Sequence, residues 1–223
     1  VVATVAGKSS LLADHPNYAG PLGVTGAAAA NAVVSQADVV IAVGTRLEDF
    51  TTGSWTLFHN DAQFIGVNAA RFDAIKHRAV PVVGDARETL TEWDAVLGEW
   101  AAAPSWMTEV QQHRKDLASF VDSRTRDDGQ WPPSYAQLVG LVNDAATPDD
   151  YVLTAAGGLP GELNINWMSK AVASFDCEYG FSCMGYEISG AWGAAMARPT
   201  GAVFSLVGDG SYLMMNSDIY ASV

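Results

Sequence analysis

The stretch at residues 203–211 constrains the fold of this chain more than any other. A mostly apolar run, Val203-Phe204-Ser205-Leu206-Val207, leads directly into Gly208-Asp209-Gly210-Ser211. An apolar run of this length that ends in turn residues predicts a buried strand. Glycines permit a sharp turn and a close approach to a ligand, and the Asp209 carboxylate is a suitable ligand for Mg²⁺. We predict a strand that ends in a cradle for a metal ion and a diphosphate.

The residues after this turn decide between two interpretations. We predict that Ser211 caps a helix that begins within residues 212–215, and a helix N-terminus attracts phosphate. Asp-Gly is also a frequent hairpin turn, so a β-hairpin is the alternative. The segment that follows has helical rather than strand character, which favours the cradle.

Composition and charge limit the possible partners. The 223 residues are 49% hydrophobic and 17% charged, which predicts a folded chain with a sizeable core. The formal net charge of −13 argues against nucleic acid and against an anionic membrane surface as partners. It does not exclude an anionic cofactor, because a bound metal ion offsets local repulsion.

The chain has two cysteines, Cys177 and Cys183, and their expected redox state depends on the cellular compartment. The chain opens without a secretory signal, and no apolar run is long enough to cross a bilayer. We therefore predict a cytoplasmic protein with both thiols reduced. There is no zinc-ligand spacing and no Gly-x-Ser-x-Gly elbow, so a serine hydrolase is not supported.

The first half of the chain alternates between strand and helix patterns. Strands are predicted at residues 1–6, 39–43, 63–67 and 80–83, and helices at residues 27–36 and 85–100. This alternation predicts a Rossmann-like α/β domain with a parallel sheet. We place that domain at residues 1–102.

The second half follows a connector at residues 103–133, which contains a polar helix at residues 105–122. Ser134 and Gln137 have capping-box spacing at the start of a second domain, residues 134–223. A short strand is predicted at residues 151–154 and a helix at residues 187–196. This second domain is also predicted to be α/β.

Two further glycine-rich turns are candidates for phosphate binding. Gly157 and Gly158 follow the strand at residues 151–154, so their backbone N–H groups can face phosphate oxygens. Gly20, Gly23 and Gly26 do not match the Gly-x-Gly-x-x-Gly fingerprint of dinucleotide sites, and a role in turning the chain is the preferred interpretation.

Together these motifs resemble those of the thiamine-diphosphate-dependent enzymes. Gly208-Asp209-Gly210-Ser211 resembles the first half of their cofactor motif, and Gly157-Gly158 resembles their earlier diphosphate loop. Cys183-Met184-Gly185 lies where a hydrophobic residue supports the bent cofactor. The resemblance implies thiamine diphosphate and Mg²⁺ as cofactors, with Asp209 as metal ligand. The cofactor-binding residues that it implies are Gly157, Gly158, Cys183, Met184, Gly208, Asp209, Gly210 and Ser211.

Longer strings are similar to the trihydroxycyclohexane-1,2-dione hydrolase (decyclising) family of inositol catabolism. They are residues 155–162, Cys183-Met184-Gly185-Tyr186-Glu187 and residues 208–217. The resemblance implies a small cyclic polyol diketone as substrate. It implies hydrolysis of the C–C bond between the two ketones to give 5-deoxyglucuronate.

Two alternative functions stay open. The first is a carboligase or decarboxylase similar to acetolactate synthase. That family has a Gln-His pair in the first loop, where this chain has Gly158-Leu159-Pro160. The second is a non-catalytic binding module of the Rossmann type.

The resemblance also implies that the site is incomplete in this chain. Both ends of the sequence look truncated, so we expect the chain to be a fragment of a longer protein. The second metal ligand of the family, an asparagine, would fall beyond Val223, and Asn216 is too close to the turn to replace it. The glutamate that activates the cofactor belongs to an N-terminal domain that packs across a dimer interface. We therefore expect a homodimer or higher homo-oligomer at full length, and an inactive chain in isolation.

Within the chain, Glu187 is a further candidate for the site. It either faces the cofactor or stabilises a helix dipole.

Overall fold

A computed structural model describes residues 1–221. The predicted position of the second metal ligand, beyond Val223, lies outside these residues. Every strand pairing within them is parallel: β1 pairs with β2, a second sheet has the order β3-β4-β5, and a third has the order β7-β6-β8. The chain is therefore an α/β protein with parallel sheets.

The strands and helices have the following bounds. The strands are β1 (Val2–Ala3), β2 (Gly20–Pro21), β3 (Val39–Val43), β4 (Gln63–Asn68), β5 (Val80–Val83), β6 (Tyr151–Thr154), β7 (Phe175–Cys177) and β8 (Val203–Ser205). The helices are α1 (Ala28–Ser35), α2 (Asp49–Thr52), α3 (Arg71–Ala74), α4 (Ala86–Leu97), α5 (Pro104–Thr125), α6 (Tyr135–Ala145), α7 (Leu159–Asn166), α8 (Tyr186–Ala197), α9 (Asp209–Met215) and α10 (Ser217–Ala221). A 3-10 turn at Lys76–Arg78 precedes β5.

The β3-β4-β5 sheet confirms the predicted strands of the first half. Val39 lies opposite Gln63, and Ile65 lies opposite Val80. One face packs on a core that contains Val34 and Phe64. On the other face the alternate residues of β3 are exposed, Ile41 by 51%. Parallel sheets normally bury both faces, so this face differs from the usual arrangement.

The β7-β6-β8 sheet has its central strand first in sequence. Val152 of β6 lies opposite Phe175 of β7 and Phe204 of β8. These residues pack with Val139 of α6 and Leu163 of α7. The side chains of the opposite face alternate with them and turn toward α8, which contacts β6 and β8. Helices thus cover both faces of this sheet.

The two halves of the chain are joined by hydrogen bonds around α7. Lys8 Nζ donates to the carbonyl of Asn164 at 2.8 Å. Asn164 Nδ2 donates to the carbonyl of Thr25 at 2.9 Å, and the Thr25 hydroxyl shares a 2.8 Å hydrogen bond with Tyr179. The long helix α5 also packs against α1 and α6. The N-terminal segment therefore rests directly on the third sheet.

Most predicted elements are confirmed, and some boundaries differ. Ser134 and Gln137 form the reciprocal capping box. The opening strand covers only Val2–Ala3 instead of residues 1–6, because a tight turn begins at Val5. The β-hairpin alternative is wrong, since β8 pairs in parallel with β6 and a helix follows it. The sequence analysis did not predict β7 or α7, which are three and eight residues long.

Two structural findings concern the cysteines and the possibility of a membrane-spanning helix. Cys177 and Cys183 are free thiols. Among the helices of residues 1–221, none combines the length and the apolar character that crossing a bilayer requires.

The buried Lys8 makes stability depend on pH. Burial lowers the pKa of Lys8 from 10.5 to about 7. Below pH 7 the ammonium is charged in both folded and unfolded protein, so the cost of burying it is fully present. As the pH rises toward 10, the unfolded chain retains the proton that the folded protein has lost, so this cost disappears.

We therefore expect the Lys8→Met variant to gain stability relative to the parent at pH 6.5 and to lose this advantage by pH 9.5. The difference in free energy of unfolding should change by about 3 kcal/mol across this range. Urea unfolding at both pH values measures it. Lys115→Met, at an exposed lysine of α5, serves as control. A Lys8→Met difference that stays constant with pH would contradict the prediction.

Candidate functional site

The predicted cradle lies where β6 and β8 end side by side. Leu153 of β6 pairs with Ser205 of β8, so the turns that follow them leave the sheet at the same edge. The Thr154 hydroxyl is fully buried and donates to the carbonyl of Leu206 at 3.0 Å. This hydrogen bond ties the two strand exits together. Open parallel sheets bind ligands at this edge.

Open space lies over the glycine of each turn. A Cβ atom added at Gly157 or at Gly208 would meet no other atom within 4 Å. Gly157 has a φ of +83°, which favours glycine, whereas Gly208 has a φ of −80° that any residue adopts. By contrast, a Cβ atom at Gly23 would lie 2.5 Å from the Phe50 carbonyl oxygen. Gly23 thus serves close backbone packing, while the two cradle glycines leave room for a ligand.

Asp209 is the first residue of α9 and is exposed at the cradle. Its Oδ1 accepts the N–H of Gly210 at 2.9 Å. Among residues 1–221, no group of three or more His, Cys, Asp or Glu side chains is arranged to hold a metal ion.

The predicted cap at Ser211 is wrong. The helix begins at Asp209, and Gly208 is the N-cap residue. Ser211 lies inside the first turn of α9 and is only 4% exposed. The sequence predicts a turn through Gly210 before the helix, whereas the backbone is already helical from Asp209 onward. Ser211 thus packs below the cradle instead of closing the helix end.

Met184 lies against the second turn. A Cβ atom at Gly210 would approach its Cε to 2.9 Å, and the Met184 side chain is 46% exposed. The neighbouring Cys183 is exposed, and its N–H donates to Glu178 Oε2 at 2.7 Å. Desolvation, and then the hydrogen bond to Glu178, raise the pKa of the Cys183 thiol. The protonated form of the Cys183 thiol is therefore favoured.

Glu187 is the polar residue that holds the cradle together. It is fully buried. Its Oε1 accepts the N–H of Ala156 at 3.1 Å, and its Oε2 accepts the N–H of Gly185 at 2.9 Å. Its backbone carbonyl accepts the Ser205 hydroxyl at 2.6 Å. Three separate segments that border the cradle thus meet at one residue, two at its side chain and one at its backbone carbonyl.

The structure brings most of the predicted site residues into one chain of contacts. Glu187 joins the Gly157 turn to Gly185, and the neighbouring Met184 lies against Gly210, which follows Asp209 in the chain. Gly158 is the N-cap residue of α7 and faces the Tyr135 ring instead of open space. The anchoring roles of Glu187 and Glu178 were missed, although a carboxylate two or three residues from a glycine turn was visible in the sequence.

Two family models match the chain. The model described as "Thiamine pyrophosphate enzyme, central domain" matches residues 1–93. The model described as "Thiamine pyrophosphate enzyme, C-terminal TPP binding domain" matches residues 161–223. The chain belongs to the thiamine pyrophosphate enzymes. In this thiamine pyrophosphate enzyme the second match contains Met184, Gly208 and Asp209, which border the open space described above.

Two curated relatives share one name. The 3D-(3,5/4)-trihydroxycyclohexane-1,2-dione hydrolase of Bacillus velezensis is 37% identical over 100% of this chain and 39% of its own length. The enzyme of that name from Geobacillus thermodenitrificans is 36% identical over 99% of this chain and 38% of its own length. The chain thus spans about 39% of the length of the relatives it matches.

The bonds to Glu187 lead to a prediction about stability. In Glu187→Gln, an amide NH₂ replaces one acceptor oxygen and faces a buried backbone N–H. We expect the free energy of unfolding to fall by about 2 kcal/mol or more. Glu178→Gln is the matched control, since Glu178 also accepts two backbone N–H groups, of Phe181 and Cys183, but near the surface. Urea unfolding should show a clearly smaller loss for Glu178→Gln, and equal losses would contradict the anchoring role.

Gly208→Ala separates the space above the cradle from the stability of the fold. Because the backbone of Gly208 suits any residue and its Cβ position is empty, the free energy of unfolding should fall by less than about 1 kcal/mol. The new methyl group occupies the space that a diphosphate would enter. Thiamine diphosphate should then bind about tenfold or more weakly, which corresponds to ~1.4 kcal/mol.

Calorimetry with the full-length protein measures this affinity. Gly193→Ala, in α8, is the control, because it also adds a methyl group into empty space. The control variant should bind the cofactor like the parent. Unchanged affinity in Gly208→Ala would show that the diphosphate does not approach this turn.

Proposed function

We propose that the full-length protein is a trihydroxycyclohexane-1,2-dione hydrolase that depends on thiamine diphosphate and Mg²⁺. The proposal rests on one observation above all. Two glycine turns with open space above them end neighbouring strands, in a chain that is 37% identical over its whole length to a relative of that name. The Gly158-Leu159-Pro160 sequence in the first loop supports this choice over an acetolactate synthase, whose family has Gln-His there.

The residues of the cradle fit the diphosphate end of the cofactor. We propose that Gly157 and Gly208 would let the backbone approach the diphosphate, and that Asp209 would ligate the Mg²⁺. Met184 lies beside Gly210, where an apolar side chain supports the thiazolium ring. Cys183, Gly158 and Ser211 complete the proposed wall, Ser211 from below. Glu187 positions the turns, because each of its two carboxylate oxygens accepts a backbone N–H.

The proposed reaction breaks one C–C bond and consumes one water molecule. Thiamine diphosphate, when bound, supplies a nucleophilic carbon and an electron sink for cleavage next to a carbonyl. The bond between the two ketone carbons of the ring breaks. Water supplies hydroxyl to the carbon that becomes the carboxylic acid and a proton to the other carbon. The open-chain product is 5-deoxyglucuronate, an intermediate of inositol breakdown.

The proposal extends to assembly and compartment. The family resemblance assigns the activating glutamate to an N-terminal domain of another subunit, so we propose a homodimer or larger homo-oligomer. The free thiols Cys177 and Cys183 are compatible with a cytoplasmic location. The substrate we propose is a small cyclic polyol diketone, and neither nucleic acid nor a membrane is a proposed partner.

Asp209→Ala tests the metal site. Loss of the carboxylate should weaken Mg²⁺-dependent binding of thiamine diphosphate by at least about 100-fold, since outer ligands alone account for 10–100-fold effects. Calorimetry with the full-length protein, with and without Mg²⁺, measures this change. Asp144→Ala removes an exposed carboxylate of α6 and should bind like the parent. Equal affinities in both variants would refute Asp209 as metal ligand.

The choice of reaction is tested by assaying the full-length protein with two substrates. We expect 5-deoxyglucuronate from the cyclic diketone and no acetolactate from pyruvate. Nuclear magnetic resonance of the products distinguishes them. Acetolactate formation without ring opening would replace the hydrolase with the carboligase, and binding of the cofactor without either reaction would favour the binding module.

A further inference from the structure

A second cavity lies away from the cradle, between the turn after β1, the middle of α5 and the C-terminal end of α7. Its volume is about 340 Å³, within the range of small-molecule sites. The cradle turn precedes α7, whereas the cavity borders the residues that follow it. Because α7 has eight residues, the two places are about 12 Å apart along its axis.

The charges around this cavity are all of one sign. Lys8, Arg114 and Lys115 line it, and no acidic residue is among the described residues of its wall. The chain as a whole has a net charge of −13, so this concentration of positive charge is local. Within residues 1–221, none of the three forms an ion pair with a carboxylate. Arg114 and Lys115 therefore give the wall positive charge that no carboxylate pairs with, and Lys8 adds to it below its pKa of about 7.

Arg114 and Lys8 bond only to neutral oxygens. Arg114 Nε donates to the Tyr18 carbonyl at 2.9 Å, and its other nitrogens donate to the Asp14 carbonyl and to Gln111 Oε1. Lys8 donates to the Asn164 carbonyl in the last turn of α7. That helix end carries a partial negative charge of about one half, which the Lys8 amine faces. Even with this partial charge, the cavity retains excess positive charge.

Three further polar groups in the wall have no hydrogen-bond partner. They are the Tyr18 hydroxyl, the Trp167 indole N–H and the Ser169 hydroxyl. The three residues are 8%, 4% and 6% exposed. An unpaired buried polar group costs about 1–3 kcal/mol. All three groups can donate, and the indole N–H can only donate. The three polar atoms themselves have almost no accessible surface, so a ligand with acceptor oxygens pairs with them only when these side chains turn toward the cavity.

The rest of the wall is apolar. Leu11, Leu117, Ile165 and Met168 line the cavity beside the basic residues. Burial also lowers the pKa of Lys8 to about 7, and a bound anion beside the amine would favour its charged form. The wall thus combines positive charge, unpaired donors and an apolar surface.

We propose that this cavity is a binding site for a small organic acid. The carboxylate faces the basic side chains of Lys8, Arg114 and Lys115, and Trp167 and Ser169 donate to it once their side chains turn toward the cavity. The short apolar body packs against Leu117 and Met168. The site is distinct from the cofactor cradle and independent of the reaction proposed above.

Calorimetry with the full-length protein, saturated with thiamine diphosphate and Mg²⁺, tests this proposal. The probes are hexanoate and benzoate, each with its primary amide, hexanamide and benzamide, as the uncharged match. We expect each acid to bind at least about tenfold more tightly than its amide, a difference of ~1.4 kcal/mol.

Three variants assign the binding to this cavity. Ala118→Trp places an indole into the cavity from an exposed position of α5 and should abolish binding of both acids. Lys115→Gln should weaken binding of the acids several-fold and leave binding of the amides unchanged. Arg87→Gln removes an exposed positive charge of α4 and should change nothing. The proposal is overturned if no acid binds, if acids bind no better than amides, or if Ala118→Trp binds like the parent.

Discussion

The buried carboxylate of Glu187 is the interaction on which the rest of the cradle depends. A buried charge is costly unless hydrogen bonds compensate it, and here backbone N–H groups of Ala156 and Gly185 do so. The same bonds also hold the two turns together, in addition to the hydrogen bond from the Ser182 hydroxyl to the Ala155 carbonyl. The bond from Ser205 to the Glu187 carbonyl adds the exit of β8. One residue therefore sets the relative position of three segments that border the open space.

Helix α7 connects this cradle to the N-terminal half. The helix begins directly after the first glycine turn, and its last turn accepts the hydrogen bond from the buried Lys8. Asn164, near the same end, bonds to Thr25. A short helix anchored at one end by the N-terminal half thus supports the first glycine turn at its other end. The contact between the two halves therefore influences the geometry of the site.

Much of the fold and part of the site could be predicted from the sequence. The strands at residues 39–43, 80–83 and 151–154 were predicted because apolar runs bounded by turn residues are a local signal. The position of Asp209 after β8 followed from the same signal. Strand β7, Phe175–Cys177, was missed because three residues are too few to show a period. The anchoring role of Glu187 was missed because one of its two partners, Ala156, lies 31 residues away.

The sequence by itself determined the alternation of strands and helices, the glycine turns at strand ends and the likeness to the thiamine pyrophosphate enzymes. These properties depend on neighbouring residues, whose conformational preferences and apolar spacing act over a few positions. Only the tertiary structure decided that β6 lies between β7 and β8, that space is open over Gly157 and Gly208, and that unpaired donors gather beside Lys8. The reason is physical: strand order and empty space result from packing between segments far apart in the chain, where burial and hydrogen bonding outweigh local preference.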